Sequence, residues 1–114
     1  MSFFKSNKWH FRNNISRKNG NKSNGKHPSL IVGITDDKKK YINLGLTHSN
    51  KRGHHKNVEI HDPVNWSKKS YIRNDLQEDD VYKLKTVLNE YKLNPKDVNK
   101  ILKIIEKHKK KNSH

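Results

Sequence analysis

Histidine suits proton transfer near neutrality, because its ordinary pKa of about 6.5 leaves both forms populated. The 114-residue chain carries eight histidines and no cysteine. Two of them, His27 and His48, stand at the ends of HPSLIVGITDDKKKYINLGLTHS, residues 27–49, where apolar residues outnumber charges. If this stretch folds back on itself, the two imidazoles meet at its open end. Thr47 and Ser49 then lie beside them, and Lys26, Lys51, Arg52 and Arg73 close by. Such a group can cleave RNA without a metal. One imidazole removes the ribose 2′ proton, the other protonates the leaving 5′ oxygen, and cations and hydroxyls hold the phosphorane. The residues this reading assigns to catalysis are Lys26, His27, Thr47, His48 and Ser49. Histidines at strand ends also serve packing and capping, so spacing alone leaves a structural role open.

The elements that would position these groups follow from apolar periodicity. Ser29–Ile34 reads as a strand buried on both faces. Tyr41–Leu46 alternates, with Ile42, Leu44 and Leu46 on one side, and Asp36-Asp37-Lys38 supplies the turn of an antiparallel hairpin. Asn57–His61 gives a third strand ended by Asp62-Pro63, and Ser70–Arg73 a short fourth. Beyond residue 74 the period lengthens. Val81, Leu84, Leu88 and Tyr91 predict a helix over about 78–92, with Asp79 and Asp80 in its first turn. A second helix begins with Asn94 as N-cap, Pro95 at the first position and Asp97 at the capping-box place, followed by Val98, Ile101, Leu102 and Ile105. The expected fold is α+β, mainly β: a small SH3-like barrel or curved antiparallel sheet with two C-terminal helices. A helix-turn-helix made by the two helices through KLNPKD is the less favoured alternative, since Asn99 is the one exposed group there suited to base edges.

Composition narrows the partners. A formal charge of +15 favours a polyanion, and the first 28 residues hold seven basic residues and no acid. Without cysteine there is no disulfide framework, thiolate zinc site or cysteine nucleophile. No glycine cluster opens a helix as a phosphate loop would. No apolar run reaches the roughly 20 residues that span a bilayer, and the start of the chain lacks a secretory pattern, so the expectation is a cytoplasmic protein without a membrane partner. Residues 1–26 are expected to form a basic, largely flexible arm, 27–107 one small barrel domain with C-terminal helices, and 108–114 a basic disordered tail.

Further nucleic-acid contacts are expected from the loop around KRGHHK, that is Lys51, Arg52, His54, His55 and Lys56, from Arg73 and Tyr71, and from Trp9 and Arg12. Phe3, Phe4, Trp9 and Phe11 either stack on bases or pack as a flap on the core. His48, His54, His55 and His61 match no compact metal motif, and the positive loop would oppose an ion, so no metal or cofactor is expected.

The pieces KHPSLIVGI from Lys26 and YINLGLTHS from Tyr41 resemble the core of MazF/PemK-like toxins and the related ToxN-type endoribonucleases. The match covers about 25 residues well and about 80 in order of elements. It implies a small SH3-like barrel, a metal-independent ribonuclease selective for sequence, a cognate antitoxin as partner, and a homodimer. In that family a basic residue opening the first strand and a Thr/Ser closing the second serve cleavage, which fall here on Lys26 or His27 and on Thr47 and Ser49. The family's arginine before proline is His27 here, and His48 stands inside the Thr/Ser pair. The longer pattern HPS…Y…LGLTHS…N…DP…SYIR also resembles small proteins of mobile elements in low-GC bacteria, and puts His27–Arg73 in one domain. The leading expectation is thus a toxin-like endoribonuclease acting on single-stranded RNA. A non-catalytic DNA- or RNA-binding accessory protein of a phage or plasmid, and a ribosome-associated protein, are its rivals.

Overall fold

The hairpin read from residues 27–49 is the spine of the fold. The computed structural model describes residues 1–17, 27–52 and 55–112, and the side chains of these except at residues 51, 52, 55, 111 and 112. In chain order its strands are β1 (Ser2–Phe3), β2 (His10–Asn13), β3 (Pro28–Ile34), β4 (Lys40–Thr47), β5 (Lys51–Arg52), β6 (His55–Lys56), β7 (Val58–His61), β8 (Lys69–Ile72) and β9 (Gln77–Asp80). One α-helix, α1 (Val98–Asn112), follows a single 3-10 turn at Pro95–Asp97.

β3 and β4 pair antiparallel, with Ser29 opposite Gly45 and Leu30 opposite Leu44. The turn between them is held by Asp37, whose Oδ1 accepts from the Thr35 hydroxyl at 2.7 Å and the Lys39 amide at 3.0 Å. Lys38 takes the left-handed conformation that the turn requires, at φ 60°. The register slips between Ile31 and Gly33, leaving Val32 as the extra residue of a bulge, and bulges bend and twist a strand. Each long strand therefore changes partner along its outer edge. β3 pairs β2 near its start and β1 near its end, while β4 pairs β9 near its start and β8 near its end, with β7 beyond β8. The result is a strongly curled antiparallel half-barrel. β5 and β6 form a separate two-stranded ribbon.

Curling creates a concave face, and α1 fills it. Ile101, Ile104 and Ile105 of the helix pack with Phe11, Leu30, Val32, Ile42, Leu44, Ile60, Ile72 and Leu88. Fully burying an aliphatic side chain of this size is worth about 1.5–3 kcal/mol, so the three isoleucines give the helix its place in the fold. Leu102, expected from sequence on the buried face, is 41% exposed, and Ile104 takes that role. The helix runs from β7, where Lys100 Nζ donates to Glu59 O at 2.8 Å, to β1, where Lys109 lies 5.1 Å from the Phe3 ring centroid. Asn94 caps its start, accepting from the Lys96 amide at 2.9 Å. Asp97 closes no capping box. It is fully buried and accepts from the His61 amide at 2.8 Å and from His61 Nδ1 at 3.0 Å, tying the helix to β7.

Three sequence expectations need correction. First, among the described residues there is one C-terminal helix and not two. Residues 77–80 are β9, Val81–Lys83 is one 3-10 turn, and the segment after it lies extended beside β2, with Asn13 N donating to Thr86 O and Leu88 N to Phe11 O, both at 2.9 Å. The helix-turn-helix alternative falls with it. Leu84 and Leu88 are buried in the extended form as well, so their spacing did not discriminate. The edges of β2 and β4 leave backbone groups to be paired, and this segment pairs both, against only a weak intrinsic preference for helix in a short stretch. Second, the N-terminal arm is part of the fold as far as Arg17: β1 and β2 belong to the sheet, and Phe11 is 1% exposed. The remainder of the arm, 18–26, lies outside the described residues. Third, α1 continues to Asn112, through most of the expected tail.

Candidate functional site

Continuing the register outward from Ser29–Gly45 sets Pro28 opposite Leu46 and His27 opposite Thr47, with His48 the first residue beyond the end of β4. His27 is fixed through its backbone by the end of β2: its amide donates to Asn13 Oδ1 at 2.7 Å and its carbonyl accepts from the Asn14 amide at 2.8 Å. On the β4 side, Ser49 N donates to Thr47 Oγ1 at 3.2 Å, a local turn that ends the strand. Asn57, itself buried, anchors this turn by donating from Nδ2 to Ser49 O at 2.9 Å.

A cleft of about 520 Å³ opens at this end of the half-barrel, and its lining includes His27, Thr47, His48, Ser49, Arg17, Asp62 and Arg73. Four of the five residues assigned to catalysis are thereby brought together with Arg73. The fifth, Lys26, lies outside the described residues.

Arg17 holds the hairpin mouth. Its Nη1 donates to Pro28 O at 2.9 Å and its Nη2 to Leu46 O at 3.2 Å, so one guanidinium spans the start of β3 and the end of β4. The guanidinium lies against Gly45, where a Cβ would overlap all three of its terminal atoms. Arg73 enters from the other edge, its amide donating to Gly45 O at 2.9 Å. Arg73 Nε and His27 Nε2 are solvent-shielded here and have no hydrogen-bond partner among the described residues. Such groups are rare enough in folded proteins that a ligand or water is the usual partner.

Asp62 supplies the cleft's negative charge. Burial opposes its ionisation, yet the Val64 and Asn65 amides, the Ser70 hydroxyl and the neighbouring His48 outweigh it and hold the carboxyl below the usual 3.8. Its oxygens are taken up locally, with Oδ1 accepting from Val64 N at 2.8 Å and Oδ2 from Ser70 Oγ at 3.1 Å. His48 adds to this through its charge, without a hydrogen bond to the carboxylate among the described residues. Among the described residues no group of three or more His, Asp or Glu side chains could hold a metal ion.

The other residues expected to touch nucleic acid are dispersed. Arg12 is committed to the fold: its guanidinium lies 5.0 Å from the Tyr41 ring centroid, Nε donates to His10 Nε2 at 2.8 Å and Nη1 to Leu84 O at 3.1 Å. Trp9 packs against the core and donates from Nε1 to Phe4 O at 3.0 Å. Tyr71 stands between Thr47 of β4 and Glu59 of β7. Lys56, in β6, is exposed. Lys51, Arg52 and His55 belong to the β5–β6 ribbon by their backbones, and His54 lies outside the described residues.

Sequence reasoning missed Arg17, Asp62 and Tyr91 as lining residues and Asn13 as an anchor of His27. Arg17 was hidden inside a basic run in which every residue looks alike. Asp62 carried a signal as the Asp-Pro that ends a strand, but a turn residue shows nothing of what its carboxylate faces. No helix among the described residues is long and apolar enough to cross a membrane. No protein-family model matches the chain, and no curated protein or solved structure matches it.

Proposed function

We propose that the end cleft binds a phosphate of single-stranded RNA and that the protein is a metal-independent endoribonuclease, in the manner of the MazF/PemK-like toxins that its hairpin resembles. The observation that carries this reading is the convergence of two imidazoles, two hydroxyls and two guanidinium groups on one cleft of about 520 Å³ in a chain of charge +15. Arg73, whose Nε is shielded and without a partner among the described residues, is the group assigned to the phosphate. Arg17 is a positioning residue, because both its terminal nitrogens hold strand carbonyls.

In the reaction, the His27 imidazole takes the proton of the ribose 2′-hydroxyl as that oxygen attacks phosphorus. His48, on the same cleft, gives a proton to the departing 5′ oxygen. The phosphorus bond to the 5′ oxygen breaks, leaving a 2′,3′-cyclic phosphate and a 5′-hydroxyl. Thr47 and Ser49 hydroxyls and the Arg73 guanidinium face the charge that builds on the phosphorane. An acidic antitoxin and a second copy of the chain are the partners that go with this proposal.

The test is incubation of the purified protein with a long RNA in EDTA, reading fragments and their termini. Discrete fragments ending in cyclic phosphate, lost in His27→Ala and His48→Ala, are expected. Intact RNA over hours, or variants that cut as well as wild type, overturns the catalytic assignment.

A further inference from the structure

A second hollow adjoins the cleft. It is a groove of about 440 Å³ whose floor is made by Phe11, Leu30 and Leu88, all buried, and whose sides include the half-buried rings of Trp9 and Tyr91. This volume falls within the roughly 300–1,000 Å³ of small-molecule sites. The aromatic sides are fixed in place. The indole N–H of Trp9 donates to Phe4 O at 3.0 Å, so what Trp9 has left to offer is ring surface. Tyr91 is set by Phe11, their ring centroids 5.9 Å apart. Asn7 and Asn89, both exposed, complete the rim, and an amide side chain presents a donor and an acceptor together.

Tyr91 lines both the groove and the phosphate cleft. A strand with a phosphate in the cleft therefore has an aromatic-walled hollow beside it, with Tyr91 common to the two. We infer that this groove receives a nucleobase of the strand whose phosphate occupies the cleft, stacked on Trp9 or Tyr91, with Asn7 and Asn89 meeting the base edge. The inference rests on the phosphate reading of the cleft and adds a base subsite that selects among sequences. A flat heteroaromatic ring with donors and acceptors at its edge matches both ring walls and amide rim, and the phosphate attached to it accounts for the neighbouring cations. An apolar peptide side chain would use the walls and leave the rim amides unmatched.

The test uses the full chain carrying Trp66→Phe, so that Trp9 is its sole tryptophan, and a short single-stranded 2′-O-methyl oligonucleotide that cannot be cleaved. Binding is expected to quench Trp9 emission. A ligand of equal length with abasic sugars throughout, and so the same phosphates, is expected to bind about 5- to 150-fold more weakly, the range matching about 1–3 kcal/mol per stacked base, and to leave Trp9 emission unchanged. Both ligands should show the same salt dependence, because the phosphate contacts are common to them. Arg73→Gln should weaken both and reduce that dependence. If the two ligands bind equally well, or Trp9 emission responds to neither, the base subsite is overturned while the phosphate reading stands. If Arg73→Gln leaves affinity and salt dependence unchanged, the phosphate reading itself is lost. Trp9→Leu extends the test only if the variant keeps the wild-type unfolding transition, and it should then lose the preference for the base-bearing ligand.

Discussion

Replacing Gly45 by alanine tests how the mouth of the hairpin is built. A Cβ at this position would run into the Arg17 guanidinium, and Arg17 is the flexible partner, so the guanidinium and not the strand has to move. Displacing it breaks its bonds to Pro28 O and Leu46 O. Hydrogen bonds from a charged donor contribute about 1.5–3 kcal/mol each, but water in the open cleft replaces part of both, leaving a loss of about 1–3 kcal/mol. Alanine itself favours a strand interior over glycine by about 0.5–1 kcal/mol, which offsets some of it. A net destabilisation of up to about 2.5 kcal/mol is expected. The assay is urea unfolding of wild type, Gly45→Ala, Arg17→Met and the double variant at one temperature, with the denaturant slopes checked for constancy. In the Arg17→Met background the same alanine should be neutral or slightly stabilising, giving a coupling of at least about 1 kcal/mol. An equal cost of alanine in both backgrounds would mean that Arg17 does not cover Gly45, and the proposed clamp across the strands would have to be abandoned.

Two further outcomes rest on packing and charge. On α1, Ile104→Ala should cost about 2–5 kcal/mol as a core truncation, whereas Leu102→Ala, at a site 41% exposed, should stay within about 0.5 kcal/mol; equal costs in chemical unfolding would mean the helix presents another face. Asp62 ionises below its usual 3.8 in the folded chain, so its contribution to stability is complete above that value and is lost as pH falls through the lower folded value. Unfolding midpoints measured from neutral pH down past 3.8 should therefore fall less steeply for Asp62→Asn than for wild type, and parallel acid limbs would show that the carboxyl is not held ionised by its neighbours.

Much of the sheet was legible because its residues obey the strand period. Leu30, Ile42 and Leu44 alternate or cluster as buried strand residues do, and the Asp36-Asp37 turn between them left a single antiparallel pairing. Asn94-Pro95 announced the start of the helical region for an equally local reason: an amide that can accept from the first turn and a ring already set at a helical φ. The segment 77–92 was misread because Leu84 and Leu88 suit a helix face and a buried extended segment alike. What decided between them was the need of distant edges, at β2 and β4, for hydrogen-bond partners.

The same division applies to the site. By itself the sequence determined the hairpin, the pairing that sets His27 against Thr47, and the positive charge of the chain, since strand register and composition are local or additive properties. Tertiary structure alone decided that Arg17 lies over Gly45, that Asp62 faces His48, and that Tyr91 lines two adjoining hollows. Those relations join residues far apart in the chain, and they exist because the bulge at Val32 curls the sheet and α1 fills the concavity so formed, which brings strand ends and the 84–93 segment to one rim.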